Sequence, residues 1–231
     1  MPAQYIMDAI NWYKKISLHD FLEMAEDAIK MLAEEGRINQ AARLRKEVAE
    51  SFEQQYEFEV AAEEYQKAAQ LFEMEEGVSF ANQCYVKAAD LMVMTKDVNY
   101  EKVITLYEKV ITEYLKKDIL KGSAKALVMK VWLWFLAHDD LTGAKSRYNN
   151  FSLEDPGFGS SREGDLLSSI FTTKETNDAD MFLKTIHGYT RITPFDKVVN
   201  QIVVHIKDTF SGFDGLNLAG KDEGDNEPDF T

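Results

Sequence analysis

The side chains best suited to chemistry are scattered along this sequence and match no catalytic or metal-binding motif. The chain has four histidines in 231 residues, and none of them stands in a His-Glu-x-x-His sequence. It also has no glycine-rich phosphate loop of the Walker type and no paired-glycine dinucleotide motif. We therefore predict that the protein is not an enzyme, with no catalytic residue, no bound metal and no cofactor.

Two other reactive-looking features have simpler interpretations. Cys84 is the single cysteine, so no internal disulfide can form, and its place inside a helical repeat predicts a small core residue. This cysteine usage fits a reducing, cytoplasmic setting. The acidic run from Asp222 to Glu227 lacks the ligand spacing and flanking helices of a calcium loop. Neither feature therefore predicts a chemical site.

The charge and hydropathy of the chain exclude several classes of protein. A net charge of −14 argues against general nucleic-acid binding, which needs a basic surface. No run of about 18 apolar residues is present, so we expect no membrane-spanning segment. The first seven residues lack the basic and apolar parts of a signal peptide. We expect a cytoplasmic protein.

Any binding surface must be positioned by a two-helix pattern that recurs about every 40 residues. Its alanine-rich second helix begins near Ala41, returns near Ala81 and again near Ala124. A fixed period of this length is typical of a helical solenoid, which usually offers a long interaction surface. Tyr65 and Tyr107 occupy matching places and are expected to fill core space beside the alanines.

Apolar periodicity predicts an all-α protein in three parts. Residues 1–139 form the repeats, 140–210 a C-terminal helical bundle, and 211–231 a flexible acidic tail. We expect Ser17 to cap a helix and Gly36 to end it. The predicted helices span about 4–16, 18–34, 38–55, 58–74, 78–95, 99–117, 121–138, 140–150, 163–173, 177–189 and 194–210.

Three local expectations concern the C-terminal half. Pro194 is placed near the first turn of the last helix, and residues 152–161 are expected to form a loop. Trp132 and Trp134 lie two residues apart and cannot share one helix face. One of them is expected to be buried and the other partly exposed.

Six segments resemble a known family in their order and spacing. They are EEGR at 34–37, AAR at 41–43, AAEEYQKAA at 61–69, SFANQCYVKAA at 79–89, LKGSAK at 120–125 and SRE at 161–163. Together they resemble the soluble NSF attachment proteins, the SNAP family of membrane-fusion adaptors. The resemblance implies a TPR-like, right-handed solenoid that wraps the four-helix SNARE complex and recruits and stimulates the ATPase NSF.

The resemblance also implies a set of SNARE-binding residues, which we call the basic row. Because SNARE bundles are acidic outside, basic side chains on the lining would steer and hold them. Each exposed contact would contribute about 0.2–1 kcal/mol and weaken with salt. Gln83 is the one uncharged member. The basic row comprises Arg37, Arg43, Gln83, Lys87, Lys125 and Arg162.

The acidic C-terminus is expected to engage NSF. The family ends in an acidic segment with a penultimate leucine, and this chain has Phe230 at the penultimate place. The resemblance therefore implies an NSF-engaging tail formed by Asp225, Glu227, Asp229 and Phe230. It also implies that a counterpart of the family's first third is missing. That part carries a membrane-contacting loop, so peripheral membrane association is expected to be weak.

Two alternative functions stay open at this point. One is a generic TPR-like scaffold that binds a linear peptide motif. The other is an inhibitory SNAP-like protein that binds SNAREs without stimulating NSF, as the change to Phe230 allows. Salt-sensitive binding to a preformed four-helix bundle, rather than to a peptide, separates the adaptor from the peptide scaffold.

Overall fold

A computed structural model describes residues 17–97 and 99–210, and these residues form ten α-helices without a strand. The predicted helix at 4–16 and the predicted tail at 211–231 lie outside the described residues. The helices are α1 Leu18–Glu34, α2 Ile38–Gln54, α3 Phe58–Met74, α4 Val78–Val93, α5 Tyr100–Leu115, α6 Lys121–Ala137, α7 Leu141–Glu154, α8 Arg162–Glu175, α9 Ala179–Thr190 and α10 Lys197–Asp208. The all-α, TPR-like prediction is confirmed.

Most helix limits agree with the sequence-based expectation, but two are wrong in the C-terminal half. Helix α7 continues through Phe151, which is buried, so the loop begins after Glu154. Pro194 lies outside α10, because Asp196 is the N-cap and its carboxylate accepts a hydrogen bond from the Val199 amide at 2.8 Å. The burial of Phe151 thus extends α7 into the predicted loop, in spite of the glycines that follow it. The Asp196 cap sets the start of α10, in place of Pro194.

The turns between the first helices repeat every 20 residues. Gly36, Tyr56 and Glu76 all adopt positive φ, at 74°, 63° and 55°. After each turn the next amide donates to a carbonyl five residues back, as Arg37 does to Leu32 at 2.8 Å. These are the bonds of a Schellman motif. The repeating unit in this part of the chain is therefore a single helix and its turn, half of the 40-residue period.

Helices two apart along the chain lie side by side. Ion pairs at 2.7 Å join Lys87 of α4 to Glu53 of α2, and Lys109 of α5 to Glu73 of α3. The even helices α2, α4, α6 and α8 therefore form one layer, and α1, α3, α5 and α7 form the other. We call the side where an odd helix turns into the next even helix the first edge.

Each of three successive steps in this stack is joined by a carboxylate, a tyrosine and a lysine from three consecutive helices. We call each set a clasp. The carboxylate at the end of one helix accepts hydrogen bonds from the tyrosine of the next helix and from the lysine of the one after. The clasps are Glu53–Tyr65–Lys87, Glu73–Tyr85–Lys109 and Asp90–Tyr107–Lys130. Each clasp holds three consecutive helices at a fixed position along one another.

Helix α6 lies at the centre of the molecule and is buried on several sides. Trp132 and Trp134 are both buried, at 0% and 2% exposure, so the expectation of one exposed tryptophan is wrong. Trp132 packs against α7, α8 and the loop between them, whereas Trp134 meets His205 of α10. A helix with one packing partner buries only one face, but α6 has partners on opposite faces, and both tryptophans are therefore covered.

The C-terminal helix folds back onto the repeats. Helix α10 packs on α6 and α4, and Asp196 at its N-cap pairs with the buried Lys130 at 3.1 Å. Lys174 of α8 is also buried, and it reaches Asp139 at 2.8 Å and Thr209 at 2.7 Å. The division between repeats and bundle at residue 139 stays a prediction, and these contacts join its two sides in one core.

Candidate protein-interaction face

All six members of the basic row lie on the even layer. Arg37 is the N-cap of α2, and Arg43 lies about 1.7 turns further along that helix. Gln83 and Lys87 belong to α4, Lys125 to the second turn of α6, and Arg162 begins α8. Because even helices start at the first edge, five of the six positions lie in the N-terminal halves of their helices or at their N-caps, and Lys87 lies just past the middle of α4.

The structure brings Gln83 and Lys87 together at one cleft. This cleft has a volume of about 450 Å³ and lies between α2, α4 and α6. Its apolar lining includes Tyr65, Tyr114 and Leu127. Lysines on α2 and α4 and a carboxylate on α2 stand around it, so it offers an apolar floor with a charged rim.

Lys87 is held in place by the first clasp. Its ammonium donates to Glu53 Oε1 at 2.7 Å, while the Tyr65 hydroxyl donates to Glu53 Oε2 at 2.7 Å. Burial raises the pKa of the Glu53 carboxyl, but the hydrogen bonds from Lys87 and Tyr65 outweigh it, so the net pKa is lowered. The carboxylate therefore stays charged at neutral pH and offsets the charge of Lys87.

Two further members of the row are also paired with carboxylates. Arg37 lies 2.9 Å from Glu35, and Lys125 lies 3.3 Å from Asp155 in the connection between α7 and α8. A partner approaching these side chains must compete with an internal carboxylate. Their contribution to binding is reduced accordingly.

Arg162 and Arg43 keep uncompensated charges. Arg162 stacks over the ring of Tyr189, with 5.0 Å from Cζ to the ring centroid, and donates to Thr193 Oγ1, so its partners are neutral. Arg43 is exposed on α2, and in the part of the chain that the structure describes its side chain has no hydrogen-bond or ion-pair partner. These two arginines carry the positive charge of the row.

Sequence reasoning missed Lys46. This lysine lines the cleft, three residues beyond Arg43 on the same face of α2, and it lies 3.5 Å from Glu50. Its helical spacing from Arg43 was the available signal. Residues Asp225, Glu227, Asp229 and Phe230, predicted to engage NSF, lie outside the described residues.

Cys84 is buried below the cleft, as predicted, and burial raises the pKa of its thiol to about 11. The reactive thiolate is therefore rare at neutral pH. Across residues 17–97 and 99–210, no group of three or more histidine, cysteine, aspartate or glutamate side chains is arranged to hold a metal ion.

A layered array of antiparallel helices with a polar, partly basic face defines a TPR-like helical repeat protein. The family model described as "Soluble NSF attachment protein, SNAP" matches residues 2–211. The chain therefore belongs to the SNAP family.

Individual relatives agree with this membership. The chain is similar to an alpha-soluble NSF attachment protein of Dictyostelium discoideum, at 29% identity over 83% of this chain and 65% of that protein. It matches the Vitis vinifera protein of the same name at 27% identity, over 89% of this chain and 71% of the relative. For the Homo sapiens protein the values are 28%, 91% and 70%. The chain thus spans about two thirds of the length of these relatives.

Among the helices of residues 17–97 and 99–210, none combines the length and the apolar character that a membrane span needs.

Proposed function

We propose that this protein is an adaptor that binds the four-helix SNARE complex through the basic row and recruits and stimulates the ATPase NSF for SNARE disassembly in vesicle fusion. The observation that carries the proposal is the alignment of all six positions on successive even helices. Membership of a family named for NSF attachment supports the same role. In this proposal the protein has no catalytic residue and acts by holding its partners.

The charges of the row determine how the proposed contact works. Arg43 and Arg162 meet the acidic SNARE surface directly, because no carboxylate within residues 17–97 and 99–210 competes for them. Lys87 and Lys125 bind by exchanging an internal carboxylate for one on the partner, and they contribute less. Binding is therefore weaker than it would be if every cation of the row were unpaired, and it depends mainly on Arg43 and Arg162.

A linear peptide is the second candidate ligand, and the cleft between α2, α4 and α6 favours it. Its apolar floor and charged rim suit an extended segment with one or two apolar side chains. A SNARE rod and a peptide differ in their footprint. A rod touches the even helices α2, α4, α6 and α8 together, whereas a peptide in the cleft needs only Tyr65, Tyr114 and Leu127.

The test of the adaptor is capture of NSF on a preassembled SNARE complex, followed by its ATPase rate. We expect the wild-type chain to capture NSF in a salt-sensitive manner and to raise the rate. Phe230→Ala is expected to keep SNARE binding and reduce the stimulation by about tenfold, as loss of an apolar anchor does. Phe213→Ala, also in the C-terminal segment, is the matched control and should stimulate like wild type.

Other outcomes assign the protein differently. Capture of NSF without stimulation points to the inhibitory SNAP-like protein. Failure to bind the SNARE complex at any salt concentration rules out the adaptor and leaves the peptide-binding scaffold. Equal loss in the Phe230 and Phe213 variants removes the special role of the penultimate residue.

A further inference from the structure

The largest exposures of aliphatic side chains occur at the first edge. Ile119 is 90% exposed and Leu153 is 81% exposed, the highest values among the large apolar residues that the structure describes. Ile119 lies in the turn between α5 and α6, and Leu153 at the end of α7, the next helix of the odd layer. Exposed aliphatic residues are ordinary when single, so their surroundings decide whether they matter.

Three lysines surround Ile119 in the α5–α6 turn, which comprises residues 116–120. Lys116 and Lys117 belong to the turn, and Lys121 is the first residue of α6. Lys116 pairs with Glu113 and Lys121 with Asp118, whereas Lys117 has no carboxylate partner within the described residues. The segment 113–121 thus holds three lysines and two acids and is locally basic, in a chain of net charge −14.

The same edge is acidic elsewhere. Met74, at the end of α3, is also exposed, but it is flanked by Glu73, Glu75 and Glu76. Ile192, in the α9–α10 turn, is 73% exposed and follows Arg191. Among the described residues, an exposed apolar tip among three lysines occurs only at the α5–α6 turn. Charges more than about 8 Å away are largely screened at physiological ionic strength, so the charges near the turn decide the electrostatic contact. These are the three lysines, Glu113 and Asp118, together with Asp155, which pairs with Lys125.

The turn presents Ile119 in a fixed position. The amide of Lys117 donates to the Tyr114 carbonyl at 3.1 Å, and that of Leu120 to the Lys117 carbonyl at 2.9 Å. Residues Asp118–Leu120 form a short 3₁₀ helix, and the side chain of Leu120 is half-buried. Because the turn is already ordered, little conformational entropy is lost when its tip binds.

We propose that the α5–α6 turn is a membrane-contact site for bilayers that contain anionic lipid. Ile119 enters the boundary between headgroups and acyl chains, while Lys116, Lys117 and Lys121 lie at the level of the headgroups. A fluid interface accepts a single protruding side chain without a preformed pocket. The site goes beyond the proposed adaptor role, because it needs neither SNAREs nor NSF.

The position of the turn has a geometric consequence. Arg37, Lys125 and Arg162 lie at or near the first turns of their even helices, and those helices start at the same edge as the α5–α6 turn. A bilayer at this edge therefore lies beside one end of the basic row. The protein can therefore contact a SNARE complex through the basic row and a bilayer through the α5–α6 turn at the same time.

The proposal is tested by flotation of the full chain with vesicles of phosphatidylcholine, alone or mixed with phosphatidylserine. We expect binding to the mixed vesicles only. Ile119→Asp should weaken it by about tenfold, and Lys117→Gln by about fivefold. Tyr56→Asp is the matched control, because Tyr56 is 75% exposed at the opposite edge and aspartate tolerates its positive φ. Thermal melts of all variants should match wild type.

Several results overturn the proposal. Wild-type protein that fails to float, or that floats equally with both kinds of vesicle, contradicts the anionic-lipid site. Equal losses for Ile119→Asp and Tyr56→Asp show that the α5–α6 turn is not the contact. If Ile119→Asp instead abolishes self-association in sedimentation while flotation is unchanged, the turn binds a second copy of the chain.

Discussion

Replacing Lys130 by methionine should lower the free energy of unfolding by about 3 kcal/mol, the cost of breaking a buried ion pair by removing one partner. The Lys130 side chain is only 8% exposed, and its ammonium lies 2.8 Å from Asp90 and 3.1 Å from Asp196. Methionine fills the space but leaves both carboxylates without their cation. Because Asp196 caps α10, amide exchange in 197–208 should also accelerate. Urea unfolding and hydrogen exchange measure the two effects.

The matched control for this prediction is Lys121→Met on the same helix. Lys121 lies 2.7 Å from Asp118, but both side chains face solvent, and exposed pairs contribute little. We expect no measurable change in the unfolding midpoint. If Lys130→Met is equally silent, then the buried lysine does not hold α10 onto α6, and the described anchoring is wrong.

Trp132→Ala should cost about 3–5 kcal/mol of unfolding free energy, the range for deleting a large buried aromatic ring. The ring is fully buried, and its centroid lies 4.6 Å from that of Tyr148, 5.8 Å from Phe158 and 5.6 Å from Phe171. These partners belong to α7, the following loop and α8. The substitution therefore removes the side chain that all three share, and denaturant unfolding will measure the loss.

Tyr56→Ala provides the comparison for the tryptophan. Tyr56 is an aromatic residue in a turn and largely exposed, so its truncation should change the unfolding free energy by less than about 0.5 kcal/mol. A loss below about 1 kcal/mol for Trp132→Ala would show that α7 and α8 are held by other contacts.

The repeats could be predicted from sequence because the residue spacing, the turn positions and the pairing of neighbouring helices all agree there. Ala61 and Ala81 stand 20 residues apart, as do the turn residues Tyr56 and Glu76, and each helix pairs with its chain neighbour. The C-terminal half lacks such a period. Trp132 and Trp134 could not be placed, because their partners come from helices far along the chain whose positions no local pattern encodes.

The candidate face was predictable in position but not in charge. The repeat period correctly puts Arg43 and Gln83 at equivalent places on helices that lie side by side. The sequence did not show which of the basic side chains pair with a carboxylate. Lys87 pairs with Glu53, 34 residues away, and Lys125 pairs with Asp155 because the fold brings the two residues together. The clasps were missed for the same reason, since each joins three helices.

The most direct test is the affinity of Arg43→Glu for a preassembled SNARE complex, measured by fluorescence anisotropy at low and high salt. Arg43 is the charged row member without an internal partner among the described residues. We predict that wild-type affinity falls with salt, that Arg43→Glu weakens binding about fivefold at low salt, and that Lys102→Glu, an exposed change on the odd helix α5, binds like wild type. Salt-independent binding, or equal behaviour of the two variants, would contradict a SNARE-binding face on the even layer.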